Sequence, residues 1–141
     1  MLSDIYYKNY QDEEFDKTIN KVEFSMHNSG NKRSYLYQEP SQMLTRNFIS
    51  KNTIYYNILL YNDVGVGKTC TAITIAEGFK EYIHNMGKKI FVLVKNKNIQ
   101  KNFMDELLSK CTRDEYITEE DSSEMDIITA KKNINKYYQF M

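Results

Sequence analysis

Apolar positions recur along the chain with a spacing that changes sharply at one point. Residues 55–61 (Tyr-Tyr-Asn-Ile-Leu-Leu-Tyr) form a compact run rich in strand formers, which ends at Asn62-Asp63. A short apolar run of this kind predicts a buried parallel strand. After Gly67 the period becomes helical, with Ala72, Ile75, Ala76, Phe79 and Ile83 falling on one face. That stripe predicts a helix of about four turns, closed by Asn85 and Gly87. A second apolar run covers 90–94, and Ile99, Phe103 and Leu107, with Met104 and Leu108, mark a further helix. Strand, helix, strand, helix is the order of an α/β fold with a parallel sheet.

The flanking segments are less regular. Residues 1–34 are polar, carry the acidic cluster Asp12, Glu13, Glu14 and Asp16, and read as a lead-in of short helix and loop. Ser29-Gly30-Asn31 reads as a turn and Tyr35-Leu36-Tyr37 as a short extended piece before Pro40. Ser41 is placed as an N-cap, and Met43, Leu44, Asn47 and Phe48 continue at helical spacing, which predicts a helix over 41–50. Between 112 and 126 acidic residues dominate, and the segment is read as a solvated insertion or linker. A last helix is expected over about 123–135, after which Tyr137-Tyr138-Gln139-Phe140-Met141 looks like the start of a strand. The expected organisation is a lead-in over 1–34 and the amino-terminal part of an α/β domain over 35–141.

Composition narrows the function only a little. The chain has 141 residues, enough for one domain with a modest core. Nineteen basic residues balance nineteen acidic ones, so bulk charge gives no attraction to nucleic acid, and any such contact must come from a local patch. Cys70 and Cys111 are far apart and too few for a disulfide scaffold, so both are read as reduced thiols of an intracellular protein, cytoplasmic or virion-associated. Met1-Leu2-Ser3-Asp4 leads straight into charged residues, so no signal peptide is expected. The apolar run Ile58-Leu59-Leu60 is far too short for a membrane span.

The chemistry sits where the period changes. Gly65-Val66-Gly67-Lys68-Thr69 is the essential half of a phosphate-binding loop of the Walker A kind, although Asn62 stands where the strict pattern has glycine. The glycines reach backbone angles closed to other residues and let the chain approach phosphate oxygens. Successive backbone N–H groups then form an anion nest, and the helix begun at Lys68 adds the positive end of its dipole. Lys68 puts a cation on the β and γ phosphates, and Thr69 offers a hydroxyl to Mg²⁺.

Residues 57–73 resemble motif I of superfamily 2 helicases, and most closely the helicase-like ATPases of large DNA viruses, the group that includes the small subunit of the poxvirus early transcription factor. Pro40-Ser41-Gln42, Phe48-Ile49-Ser50 and Tyr55-Tyr56 stand in the order that group shows, and the resemblance covers about 37–108. It implies a RecA-like P-loop fold, ATP with Mg²⁺ as cofactors, and nucleic acid as partner, with transcription machinery as a further one. It implies a cofactor site formed by Asp63, Val64, Gly65, Val66, Gly67, Lys68, Thr69 and Cys70, with Lys68 and Thr69 in catalytic roles and Thr69 on the metal. Gln42 is similar to the glutamine that reads the adenine edge; the alternative is a polar residue on an exposed helix face. Lys95, Asn96 and Lys97 look like motif Ia, which touches the nucleic-acid backbone; the alternative is a solvated turn with incidental lysines. His27 and His84 are read as surface or partly packed residues, and the Cys70 side chain as helix packing.

An ATPase of this class also needs an acidic motif II and an arginine from a second domain. Asp105-Glu106 falls inside a helix and Asp114-Glu115 in polar sequence, so neither supplies motif II. In the resembled family the motif I strand lies between later strands of the sheet. The chain is therefore expected to be an amino-terminal piece, with strand edges unpaired, one face of the motif I helix poorly covered, and little hydrolysis alone. Two alternatives stay open: another class of P-loop protein, or a non-catalytic nucleotide-binding module. A guanine-reading Asn-Lys-x-Asp is not formed, because Asn98-Ile99 follows Asn96-Lys97.

Overall fold

The computed structural model describes residues 7–21, 24, 40–61, 63, 65, 67–112, 115–117 and 123–141. The readings made for His27, 29–31, 35–37, Asn62, Val64 and Val66 lie outside these residues. Among the described residues the elements are α1 (Phe15–Ile19), α2 (Pro40–Phe48), α3 (Lys68–Asn85), β1 (Ile90–Val92), α4 (Lys97–Asp105), a π-helical turn (Glu106–Lys110), α5 (Glu124–Tyr137) and β2 (Tyr138–Phe140). No helix among them is long and apolar enough to cross a membrane.

β1 and β2 pair in parallel, with Ile90 opposite Tyr138, Phe91 opposite Gln139 and Val92 opposite Phe140. Two further bonds extend the ladder, Val94 N–H to the Met141 carbonyl and Met141 N–H to the Val92 carbonyl, both at 3.0 Å. The two strands lie forty-eight positions apart, and helices α4 and α5 make the crossover between them, as parallel pairing requires. The strand expected at the end of the chain is thus present, and it is the partner of β1.

The helix boundaries have local causes. Ser123 caps α5 by accepting from the Asp126 N–H, and acidic residues fill the first turn, where they suit the helix dipole. Gly87, at φ 68°, ends the α3 segment, with its N–H on the His84 carbonyl at 2.8 Å and the Lys88 N–H reaching back to Ile83 at 3.1 Å. The cap assigned to Ser41 is corrected: α2 already begins at Pro40, a residue suited to a first helical position, and the Ser41 carbonyl instead accepts from the Thr45 hydroxyl at 2.6 Å.

The core gathers Ile73 from α3, Leu107, Leu108 and Cys111 from the π turn and its end, Ala130 and Ile134 from α5, and Tyr138 from β2. A separate aromatic cluster anchors the start of the chain. The Phe48 and Tyr55 rings stack at 4.1 Å, and Tyr7, Phe15 and Phe24 pack around them. Tyr55 donates its hydroxyl to the Lys8 carbonyl at 2.5 Å, and the fully buried Thr18 hydroxyl accepts from the Lys8 N–H at 2.9 Å.

Three expectations are overturned. Residues 55–61 form no ladder, and Tyr56, Leu59 and Tyr61 are 87–94% exposed, because no described strand lies beside them to take their backbone hydrogen bonds. The predicted apolar face of α3 is only half covered: with Ile58, Leu60 and Ile90 it lines an open groove of about 460 Å³. The expectation of an unpaired edge and a thinly covered helix face thus matches what is seen. Secondly, Cys70 and Cys111 are not free thiols but a disulfide, since the first turn of α3 and the end of the π turn bring their Cα atoms to 5.1 Å. Sequence separation carries no trace of that approach.

The third correction concerns the acidic segment, which is not wholly solvated. Glu115 pairs with Lys80 of α3, and Lys80 is 6% exposed. The Lys80 Nζ also meets Glu77 at 2.7 Å and the Tyr116 hydroxyl at 3.2 Å, while Tyr116 and Tyr138 both donate to the Glu77 carboxylate. The ammonium lies over the rings of Tyr116 and Tyr137 at 4.9 and 5.3 Å. Burial draws the Lys80 ammonium down, but the hydrogen bonds to Glu115 and Glu77 outweigh it and hold it above the ordinary lysine value. Burial, then the Glu77 carboxylate, push the Tyr116 and Tyr138 hydroxyls up, so both remain neutral donors at physiological pH.

Replacing Lys80 with Met strands Glu77 in a nearly dry site and is expected to cost about 3–5 kcal/mol. The Glu115→Gln change, at a half-exposed partner, should cost no more than about 1 kcal/mol. Urea unfolding of the two variants measures the contrast, and equal losses would contradict it. Reducing the disulfide, whose cysteines are 41 residues apart, is expected to lower stability by about 2–4 kcal/mol, read as a lower urea midpoint in phosphine reductant.

Candidate nucleotide-binding site

The two described glycines between residue 61 and α3 have the backbone angles that the pattern requires. Gly65 has φ 85° and Gly67 φ 79°, both in the left-handed region that side-chain-bearing residues rarely adopt. Gly67 is the N-cap of α3, and its carbonyl accepts from the Thr71 N–H at 2.9 Å and the Thr71 hydroxyl at 3.1 Å. No side chain caps this helix end, and its first turn contains no acid. Eighteen residues of aligned peptide dipole therefore end at a helix N-terminus with neither a capping side chain on its N-cap residue nor an acid in its first turn. The donor set fits an anionic phosphate group, with Lys68 exposed in the first turn and Thr69 half-buried beside it. Asp63 is exposed just before the loop.

Helix α2 supports the loop from behind. Gln42 is 6% exposed, and its amide nitrogen lies 3.0 Å from where a Cβ on Gly67 would sit. Gln42 is therefore buried against the loop and is not on an exposed helix face. One turn further along, Arg46 lies against Gly78, where an added Cβ would meet the guanidinium at 3.2 Å. Gly78 is thus a close-approach glycine that lets α2 lie along α3. A glycine inside an otherwise helical stripe was the one sequence signal for that contact.

The Lys95, Asn96 and Lys97 segment follows β1 and leads into α4. The Asn96 side-chain oxygen Oδ1 is committed to capping α4, accepting from the Ile99 N–H at 3.0 Å, so its structural task is local. Lys95 and Lys97 are both exposed. The turn lies at the carboxyl end of a parallel strand, the end at which ligands meet open α/β sheets. His84 is exposed and rests its ring against Tyr137 at 4.9 Å. Sequence reasoning missed Glu106, whose carboxylate lies 4.0 Å from the Cys70 sulfur and 3.7 Å from that of Cys111. The three groups could hold a metal only as free thiols.

The family model described as "Type III restriction enzyme, res subunit" matches residues 4–140. A protein of invertebrate iridescent virus 3 named "Putative helicase 087L" is 33% identical over 147 residues, covering 89% of this chain and 14% of that protein. Two proteins of Acanthamoeba polyphaga mimivirus are also similar. "Putative ATP-dependent RNA helicase L377" is 39% identical over 110 residues, covering 72% of this chain and 10% of that protein. "Putative ATP-dependent RNA helicase R563" is 35% identical over 116 residues, covering 74% of this chain and 19% of that protein. The chain thus spans less than a fifth of the length of these relatives. No solved structure matches it. A left-handed glycine loop opening a long uncapped helix, and a family match across nearly the whole chain, together make this a RecA-like, superfamily 2 helicase-like chain of the type III restriction enzyme res-subunit family, with relatives in large DNA viruses.

Proposed function

We propose that this chain supplies the ATP-phosphate grip of a nucleic-acid-dependent ATPase of the helicase type. The observation that supports the reading most is the uncapped N-terminus of α3 at a loop whose two described glycines both have positive φ. Backbone N–H groups there donate to the β and γ phosphate oxygens, and Lys68 adds its ammonium to the same oxygens. Thr69 offers its hydroxyl oxygen to Mg²⁺, which when bound draws charge from the phosphates and favours departure of the γ-phosphoryl group. Asp63, Val64, Val66 and Cys70 complete the loop by position. Gln42, held against Gly67, reads the adenine edge. A glutamine amide can donate to and accept from adenine at once, and its burial fixes the direction in which it points.

Lys95 and Lys97 contact the phosphate backbone of a nucleic acid, with Asn96 setting the start of α4 between them. ATP turnover, movement along the strand and a place in viral transcription are assigned to the whole protein, since the match covers less than a fifth of each of these relatives. The division into a lead-in over 1–34 and a nucleotide-binding part over 35–141 belongs to the same proposal.

Titration with a fluorescent ATP analogue and Mg²⁺ tests the grip. Loss of a charge-assisted contact is worth about 1.5–3 kcal/mol, so Lys68→Ala should raise Kd by roughly tenfold or more; an unchanged Kd defeats the assignment. A Gln42→Ala variant separates base reading from packing. Adenine reading means that ATP affinity falls while GTP affinity stays the same, whereas an equal fall for both means that Gln42 only supports the loop.

A further inference from the structure

Cys70 is the residue directly after Thr69, in the first turn of α3, and its side chain is half-buried. Cys111 closes the π turn, is 3% exposed, and has its N–H on the Glu106 carbonyl at 3.0 Å. Their bond cross-links the first turn of α3 to the end of the π turn. We propose that this pair is a reversible redox-modification site, opened and closed by exchange with a small thiol–disulfide couple of the glutathione class, which sets how firmly the first turn of α3 is held. The proposal rests on the phosphate-loop reading only in its effect on nucleotide affinity.

Glu106 argues for reversibility. Its carboxylate lies within 4.0 Å of both sulfurs. In the dithiol form each S–H can donate to that carboxylate. In the disulfide form neither sulfur carries a hydrogen, and the half-buried carboxylate loses both donors while facing sulfur lone pairs. Glu106 therefore favours the dithiol and works against the gain from closing the loop. It acts as a positioning residue for the couple and touches no nucleotide.

The exchange balances as follows. Cys70, the more accessible partner, loses its proton, and its thiolate attacks one sulfur of the small disulfide. A mixed disulfide forms and one small thiolate leaves. Cys111 then loses its proton, attacks the Cys70 sulfur and expels the second small thiolate. Two electrons pass from the protein sulfurs to the small disulfide, and the two protons end on the two released thiols. When the bond opens, the start of α3 is held only by packing and its own hydrogen bonds, so its amides open to solvent more often. Those same amides form the phosphate nest, so a looser first turn must be ordered again when phosphate binds.

The test equilibrates the full chain in stepped ratios of reduced to oxidised glutathione, alkylates it, and maps the Cys70 and Cys111 peptides. Interconversion of dithiol and disulfide within that range is expected, with Glu106→Gln moving the half-point at least threefold toward the disulfide. Hydrogen exchange of the Thr71 amide, which bonds back to the Gly67 carbonyl across the first turn of α3, should be at least tenfold slower in the oxidised form. ATP should bind at least threefold more tightly to the oxidised form, and a Cys70→Ser variant should ignore the buffer ratio. A bond that native protein never releases, thiols that never oxidise, zinc held by the dithiol that blocks oxidation, or equal hydrogen exchange in both forms would each overturn the site. A Glu106→Gln half-point equal to that of the parent chain would overturn the role of Glu106. If neither form binds ATP, the phosphate-loop reading fails, and the thiol titration and hydrogen exchange still decide this proposal.

Discussion

The turn through Gly65 and Gly67 governs everything else at the site. An extended segment arrives at residue 61, and a helix of eighteen residues leaves at Lys68. Two left-handed glycines take backbone angles there that would strain other residues, and the first helical amides follow directly after them. Helices normally satisfy those amides with a Ser, Thr, Asp or Asn side chain. Here the cap is glycine, which has no side chain to give. The chain thus gives up the stabilisation of a capping side chain at the position where an external anion can take its place.

A loop built this way cannot hold itself, so its rigidity must come from its neighbours. Gln42 packs against Gly67, and Arg46 against Gly78, so two side chains one turn apart on α2 brace α3 at two separate points. Phe48 at the end of α2 and Tyr55 at the start of the extended segment stack on each other, which fixes the approach to the loop. From the other side, the Glu77, Lys80, Tyr116 and Tyr138 network ties the middle of α3 to β2. The disulfide ties its first turn to the π turn.

Much of this was legible from local pattern, and the failures share one cause. The period of Ala72, Ile75, Ala76, Phe79 and Ile83 located α3, Ser123 located the start of α5, and Tyr137-Tyr138 located β2, because each signal acts within a few residues. The left-handed turn at Gly65 and Gly67 was legible for the same reason. Residues 55–61 have strand composition, but a strand also needs a hydrogen-bonding neighbour, and no described strand pairs with them. The pairing of Cys70 with Cys111, of Lys80 with Glu115 and of Gln42 with Gly67 each joins segments twenty-five or more positions apart. Composition showed an acidic stretch around Glu115 but not that a buried lysine would draw part of it inward.

The two faces of α3 show how the helix is held while its site stays open. The face predicted from the apolar stripe borders a groove of about 460 Å³ and is only half covered. The opposite side buries Thr71, Ile73, Thr74 and Lys80. Burial of one isoleucine contributes about 1.5–3 kcal/mol, and threonines add less. Apolar contact on that side is therefore modest for a helix of this length, and the specific links carry more of the load. That dependence explains why a charged residue sits at a nearly dry position: Lys80 joins Glu77, Glu115 and two tyrosines into one unit, so its geometry is fixed by directed bonds rather than by area. Directed bonds set the axial position of the helix more sharply than a smooth apolar stripe can. The axial position of α3 is what places its first-turn amides relative to Gly65 and Gly67.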